Sequence, residues 1–190
     1  MSNSQGSAGR TVITTSRLRL REYLRADVDE RAAMFADEET MRYYPRLKSR
    51  DETVAWVEWN LESYRQHGLG LWVVELESTG EFLGECGLVV QVVDGAREIE
   101  LGYSIKRSHW GQGYATEAAL AVRDRAIGVL GLRRLISIIH PDNARSQGVA
   151  RKVGMRHQKD ARVFGRSQKI YSLDNASHST PPLSHDPDGL

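Results

Sequence analysis

The stretch with the clearest chemical potential is residues 107–116, R-S-H-W-G-Q-G-Y-A-T, which joins an apolar strand-like run to a long alanine-rich helical run. Glycines at 111 and 113 let the backbone turn tightly and bring bare N–H groups close to a ligand. A helix opening near Tyr114 aims its positive dipole end at the same place, so phosphate is the expected ligand. Paired glycines also open strand-to-helix turns that bind nothing, and the rest of the chain has to decide between the two.

Around this stretch the elements follow from periodicity. Residues 11–23 alternate, with Leu18 and Leu20 on one side and Arg17, Arg19 and Arg21 on the other, which predicts one half-buried strand. Residues 26–37 and 51–67 show helical spacing, the second with Val54, Val57, Leu61 and Tyr64 along one face. Tyr43, Tyr44, Trp56 and Trp59 fall in this region; packing is the plainer reading, and the lining of an acceptor pocket is the alternative. Residues 71–76, 82–93 and 99–105 read as three consecutive antiparallel strands, with turn signals at Ser78-Thr79-Gly80 and Asp94-Gly95. A helix at 114–130 turns Ala115, Ala119, Val122, Ala126 and Val129 to the sheet and stops at Gly131. A strand at 134–140, a helix at 143–153 ended by Gly154, and a hairpin of 155–163 with 168–173 complete the order β-α-α-β-β-β-α-β-α-β-β. This is an α/β fold with a mixed, mostly antiparallel central sheet flanked by helices.

Composition narrows the function. A chain of 190 residues with 40% hydrophobic content and a net charge of +1 predicts one soluble domain, at residues 12–173, between a disordered arm at 1–11 and a Pro-, Ser- and Asp-rich disordered tail at 174–190. There is neither the basic excess of a nucleic-acid footprint nor an apolar run able to span a bilayer, so neither partner is expected. The single cysteine, Cys86, has no partner for a disulfide and no neighbours for a metal site, which suits a cytoplasmic location and predicts no metal.

Four ordered stretches carry a resemblance: T-S-R-L-R-L-R-E at 15–22, E-L-G-Y-S-I at 100–105, W-G-Q-G-Y-A-T-E-A at 110–118 and N-A-R-S-Q-G-V-A-R-K-V-G-M at 143–155. Together they resemble the GCN5-related N-acetyltransferase (GNAT) superfamily, and within it the group acetylating ribosomal-protein N termini. The resemblance implies acetyl-CoA as donor, with its diphosphate on the loop from Trp110 through Gly111, Gln112, Gly113, Tyr114 and Ala115 to Thr116. Gln112, Gly113, Ala115 and Thr116 would supply N–H groups. It also implies that the strand carrying Tyr103, Ser104 and Ile105 parts from the strand at 135–139, that the pantetheine arm lies in the gap, and that Asn143 holds a pantetheine amide. Two departures stand out. Trp110 occupies the place where the superfamily usually has Gln or Arg. Ala150 stands where many relatives carry a tyrosine as general acid.

Moving an acetyl group from a thioester to an amine requires a neutral amine, a polarised carbonyl and a proton for the leaving sulfur. Glu100 is the candidate base, acting through a water, against readings as a solvated strand-end carboxylate or as a ligand for the substrate's positive charge. An N–H on the 103–105 edge is the candidate oxyanion donor. With Ala150 in the tyrosine's place, the resemblance points to Ser146 for the sulfur. Asn143 and Ser146 also have structural readings, a helix cap and a first-turn bond to backbone. His109 and His140 sit in polar turns and read as solvated. The expected partners are acetyl-CoA and an amine acceptor, protein N-terminal or small-molecule, with a homodimer through sheet edges as the expected assembly. A non-catalytic acyl-CoA sensor and an enzyme using a longer acyl donor are the alternatives.

Overall fold

The structure is a computed structural model that describes residues 9–175. The alternating segment read as one strand is a hairpin, β1 (Thr11–Thr14) against β2 (Leu18–Arg21), with Thr11 opposite Arg21. Thr15 makes the turn: its N–H donates to the Leu18 carbonyl at 2.8 Å, and its hydroxyl oxygen accepts the Leu18 N–H at 2.9 Å. Side-chain oxygens of this kind replace a turn glycine.

A single 3-10 turn leads into α1 (Val28–Ala36), followed by the one-turn α2 (Glu38–Met41), which is too short to leave a periodic trace in the sequence. α3 (Arg50–His67) opens with a capping box between Ser49 and Glu52 and closes on Gly68 in the left-handed conformation. β3 (Leu71–Leu76), β4 (Phe82–Val93) and β5 (Ala96–Ile105) form an antiparallel meander. Then come α4 (Tyr114–Gly128), β6 (Arg134–Ile139), α5 (Ala144–Lys152), β7 (Arg156–Val163) and β8 (Arg166–Asp174).

The strands make one eight-stranded sheet in the order β1-β2-β3-β4-β5-β6-β8-β7. β5 and β6 are parallel neighbours, and the other pairings are antiparallel. On one face α4 lays Ala118, Ala119, Val122 and Ala126, all fully buried, against Leu88 and Leu101. Small side chains let the helix approach the sheet closely and leave it rigid under the glycine loop. Val57 and Met34 of α3 and α1 cover Val73 and Phe82 on a second side of the molecule.

The ordered region is wider than the sequence suggests. Thr11, placed in the arm, opens β1, and the Arg10 carbonyl accepts the Glu22 N–H at 3.0 Å. Asp174, placed in the tail, ends β8, and the Asn175 N–H donates to the Arg133 carbonyl at 2.7 Å. Backbone bonds that extend the β1–β2 and β6–β8 pairs hold both positions. The rest of the expected arm and tail, residues 1–8 and 176–190, lies outside the described residues. Among the described residues no helix is long and apolar enough to cross a membrane.

Candidate active site

The site begins with a defect in the sheet. β5 and β6 meet in register only at Glu100 opposite Ile136, and past that point the two strands part. Backbone direction in the opening follows from alternation. The Lys106 N–H goes to Leu83 of β4, so Leu101, Tyr103 and Ile105 turn their peptide groups the other way, into the gap. Ser137 accordingly donates its hydroxyl to the Leu101 carbonyl at 2.7 Å, and the indole of Trp110 donates to the Ile105 carbonyl at 2.7 Å. Ser104, between them, directs its backbone to β4, so only Tyr103 and Ile105 aim N–H groups at the opening.

A groove of about 890 Å³ runs from the start of α4 to the start of α5. Tyr103, Ser104, Ile105, Asn143 and Ser146 line it, together with every predicted loop residue except Gln112. Gln112 lies at the outer side, its carbonyl accepting Arg17 Nη1 at 3.1 Å. Gly111 and Gly113 have φ of 80° and 85°, the region glycine favours, and no side chain caps α4. The first-turn amides of α4 therefore point free donors into the groove, a fit for an anion. Arg42, Arg107, Arg145 and Lys152 line the same space and add positive charge, with the Arg145 guanidinium 4.7 Å over the Trp110 ring.

The loop is held from behind by contacts that the sequence reading did not identify. Glu117, in the first turn of α4, accepts the Thr15 hydroxyl at 2.6 Å, the Arg17 N–H at 3.2 Å and Arg17 Nε at 2.7 Å. Arg17 also lies over the Tyr114 ring at 4.6 Å. Burial alone would raise the Glu117 pKa, but the bonds from Thr15 and Arg17 outweigh it and hold the carboxyl below its ordinary value. Two of the recognisable sequence blocks, 15–22 and 110–118, thus form one physical unit.

A second cavity, of about 540 Å³, lies against the first and shares Tyr43, Tyr44, Tyr103, Asn143 and Ser146 with it. Tyr43, Tyr44, Trp56 and Trp59 all line this cavity, so the packing reading is incomplete. Trp56 does both jobs: its ring meets Phe35 edge-on at 5.7 Å and its N–H donates to Glu85 at 3.1 Å. Glu85 is in turn neutralised by the buried Arg31 at 2.5 Å and accepts the Tyr23 hydroxyl at 2.6 Å. The loop above is pinned on two sides. The Tyr43 hydroxyl donates to the Asp142 carbonyl at 3.1 Å, and Arg166 donates to the carbonyls of Tyr44 and Pro45 at 3.3 and 3.2 Å.

Glu100 faces the second cavity from within β5, half-buried, and is not a solvated strand end. Its ion-pair partners among the described residues are none; Gln91 Nε2 donates to it at 2.8 Å, and the Ile138 backbone bonds to it. Burial raises its pKa above the ordinary carboxylate value, against those two bonds. Asn143 caps α5, Oδ1 accepting the Ser146 N–H at 3.1 Å, which leaves its Nδ2 to donate into the groove. The Ser146 hydroxyl makes no backbone bond of the first-turn kind and borders both cavities. Ala150 is fully buried and takes no part. His140 is half-buried, stacked on Tyr43 at 5.2 Å, and lines the second cavity. His109 bonds Glu81 at 3.2 Å, so neither histidine is simply solvated.

Known proteins resemble this chain in sequence and in fold. A family model described as an acetyltransferase (GNAT) domain matches residues 17–156. An uncharacterised Bacillus subtilis protein, YkkB, is 37% identical over 165 residues, covering 85% of this chain and 95% of that protein. The crystal structure of an acetyltransferase from Agrobacterium tumefaciens superposes with a TM-score of 0.77 at 28% identity, covering 87% of this chain and 95% of that one. RimL, a ribosomal L7/L12 α-N-protein acetyltransferase solved in complex with coenzyme A, has a TM-score of 0.72 at 17% identity, covering 87% and 98%, a likeness of fold.

Proposed function

The chain belongs to the acetyltransferase (GNAT) family, and from that premise we propose that it transfers the acetyl group of acetyl-CoA directly to a primary amine, on a protein N terminus or a small molecule. The observation that carries the reading is the meeting of two cavities at Tyr103 and Ser146, beside the point where β5 and β6 part. One cavity has the uncapped helix and cations suited to a diphosphate; the other has a carboxylate without an ion-pair partner suited to an amine. The coenzyme A bound by the RimL neighbour supports the donor assignment.

Bound acetyl-CoA would supply an acetyl group already activated as a thioester. The amides of Gly113, Ala115 and Thr116 hold the diphosphate, and the backbone of Tyr103 and Ile105 fixes the arm in the gap. An N–H of that edge polarises the acetyl carbonyl, being in place before reaction. Glu100, its proton affinity raised by burial, takes the proton of the incoming ammonium through a water. As the nitrogen–carbon bond forms and the carbon–sulfur bond breaks, the nitrogen gives up its second proton to the departing sulfur, relayed by the Ser146 hydroxyl, so that coenzyme A leaves as the thiol.

The test is thiol release from acetyl-CoA with a panel of primary amines. Release that depends on the amine, with mass spectrometry finding the acetylated product, is the expected result. Release independent of amine, or none with any amine, would refute the reading.

A further inference from the structure

Glu100 differs from the other glutamates of the sheet in the partner it is given. Glu75 is paired with Arg19 and Arg21, Glu85 with Arg31, and Glu98 with Arg134. Glu100, two residues along β5 from Glu98, has an amide instead: Gln91 Nε2 donates to its Oε2 at 2.8 Å. The strands set this arrangement. β4 and β5 pair with Gln91 opposite Glu98 and Val89 opposite Glu100, so Gln91 and Glu100 are diagonal neighbours on one face, within reach of long side chains. Both line the acceptor cavity.

The choice of partner has chemical consequences. A buried carboxylate with no partner keeps its proton and cannot take another. One beside an arginine is a firm anion but a poor base, because the ion pair is given up when a proton arrives. An amide lies between the two: it favours the anion, against the burial that opposes it, without adding a charge. Its NH2 must face the carboxylate, which only accepts, so the direction of the bond is fixed. The other groups around Glu100 leave this role to Gln91. On β6, Ile136 stands opposite Glu100 and the Ile138 backbone bonds its carboxylate. Glu98 is held by Arg134, and Glu85 by Arg31. Tyr43, Tyr44 and Tyr103 bring phenols, and Lys48 and His140 line the same cavity, yet among the described residues no side chain but Gln91 bonds Glu100.

Resting on the transferase reading above, we propose that Gln91 is a positioning residue for the proton transfer: its amide holds the Glu100 carboxylate as an anion at the acceptor cavity, ready for the proton of the incoming ammonium. In this role Gln91 acts through Glu100 and not on the reacting atoms. Its removal therefore has a predictable direction. Without the amide's hydrogen bond the anion is disfavoured, Glu100 ionises only at higher pH, and the base is lost over the range between. An arginine in the same place favours the anion more strongly and does the opposite.

The experiment measures kcat/KM against pH by coenzyme A release, with the best acceptor from the panel of primary amines above, in the wild type, Gln91→Met, Gln91→Arg, Glu100→Gln and the double variant Gln91→Met/Glu100→Gln. Methionine keeps the length of the side chain and removes the donor. In Gln91→Met the acid limb is expected to move to higher pH, with kcat/KM about tenfold below the wild type on the acid side and a smaller loss on the alkaline plateau. In Gln91→Arg the limb is expected to move to lower pH, with a lower plateau. The double variant is expected to match Glu100→Gln to within about twofold, which separates a role through Glu100 from a loss of cavity shape and from the titration of His140. A limb that stays in place in Gln91→Met, a limb moved the same way by both Gln91 substitutions, an acid limb that survives in Glu100→Gln, or losses that multiply in the double variant overturn the assignment and leave the transferase reading standing. Absence of amine-dependent release by the wild type across the panel overturns the proposal together with the reading beneath it. If Gln91→Met does not fold, Gln91→Asn, whose amide is withdrawn by one methylene, is read against the same outcomes.

Discussion

Tyr103 on β5 donates its phenolic hydrogen to the carbonyl oxygen of Ser146 on α5, 2.8 Å away, bridging the two elements that flank the opening in the sheet. The Ser146 N–H is taken by Asn143 Oδ1. With backbone contacts at both ends and its side chain beside the Tyr103 phenol, the serine is fixed in position at the border of the two cavities. Burial pushes the Tyr103 phenol up, so it stays a donor throughout the neutral range.

Ser146→Ala should lower kcat by about a hundredfold, since its hydroxyl acts on charge that appears only as sulfur departs. Coenzyme affinity, measured by calorimetry, should stay close to the wild-type value, because the backbone contacts of residue 146 are unchanged. An unaltered kcat would remove the serine from the mechanism.

Glu100 must be ionised to accept a proton, and burial raises its pKa. The acid limb of kcat/KM should therefore lie at higher pH than an ordinary carboxylate would place it, and Glu100→Gln should abolish that limb with a large loss of rate. The same shift predicts a stability effect. The folded state holds the Glu100 proton more tightly than the unfolded chain, so this group's contribution falls as pH rises from the ordinary carboxylate value through the raised one. Glu100→Gln should thus gain stability near neutrality and lose that gain in acid, which thermal melts across pH would follow.

Glu117→Ala should weaken acetyl-CoA binding by about fivefold to tenfold although the residue lies behind the loop; Arg17, its partner, is half-exposed, so the pair is worth on the order of 1 kcal/mol. Loss of the Arg17 and Thr15 anchors frees the start of α4. Turnover at saturating donor should change much less than affinity. Equal loss in both would place Glu117 in the chemistry instead.

Gly102→Val should raise the KM of the acceptor several-fold and leave coenzyme affinity intact. A Cβ at Gly102 would meet only Leu71 Cδ2, at 3.4 Å, so the strand accepts a side chain and the added methyls enter the acceptor cavity. Steady-state kinetics varying each substrate in turn separates the two effects.

Much of this was legible in the residues, and the gaps have physical causes. β3 and β4 run between the residues their alternating apolar patterns indicate, because turn chemistry marks both ends. The β1–β2 hairpin was hidden because Thr15 makes the turn without glycine or proline. The split was expected from the resemblance alone, since nothing in the composition of β5 or β6 marks where pairing stops. The Arg17–Glu117 clamp joins residues 100 apart in sequence, and no periodicity links them. Tyr43, Tyr44, Trp56 and Trp59 looked like core because apolar rings serve equally in packing and in a cavity wall; only the pinned loop over them creates the cavity.

The most direct measurement is a crystal structure of the protein with acetyl-CoA. The account predicts diphosphate oxygens within hydrogen-bond distance of the amides of Gly113, Ala115 and Thr116, and the thioester between β5 and β6 beside Ser146. A diphosphate bound elsewhere, with those amides facing only solvent, would contradict it.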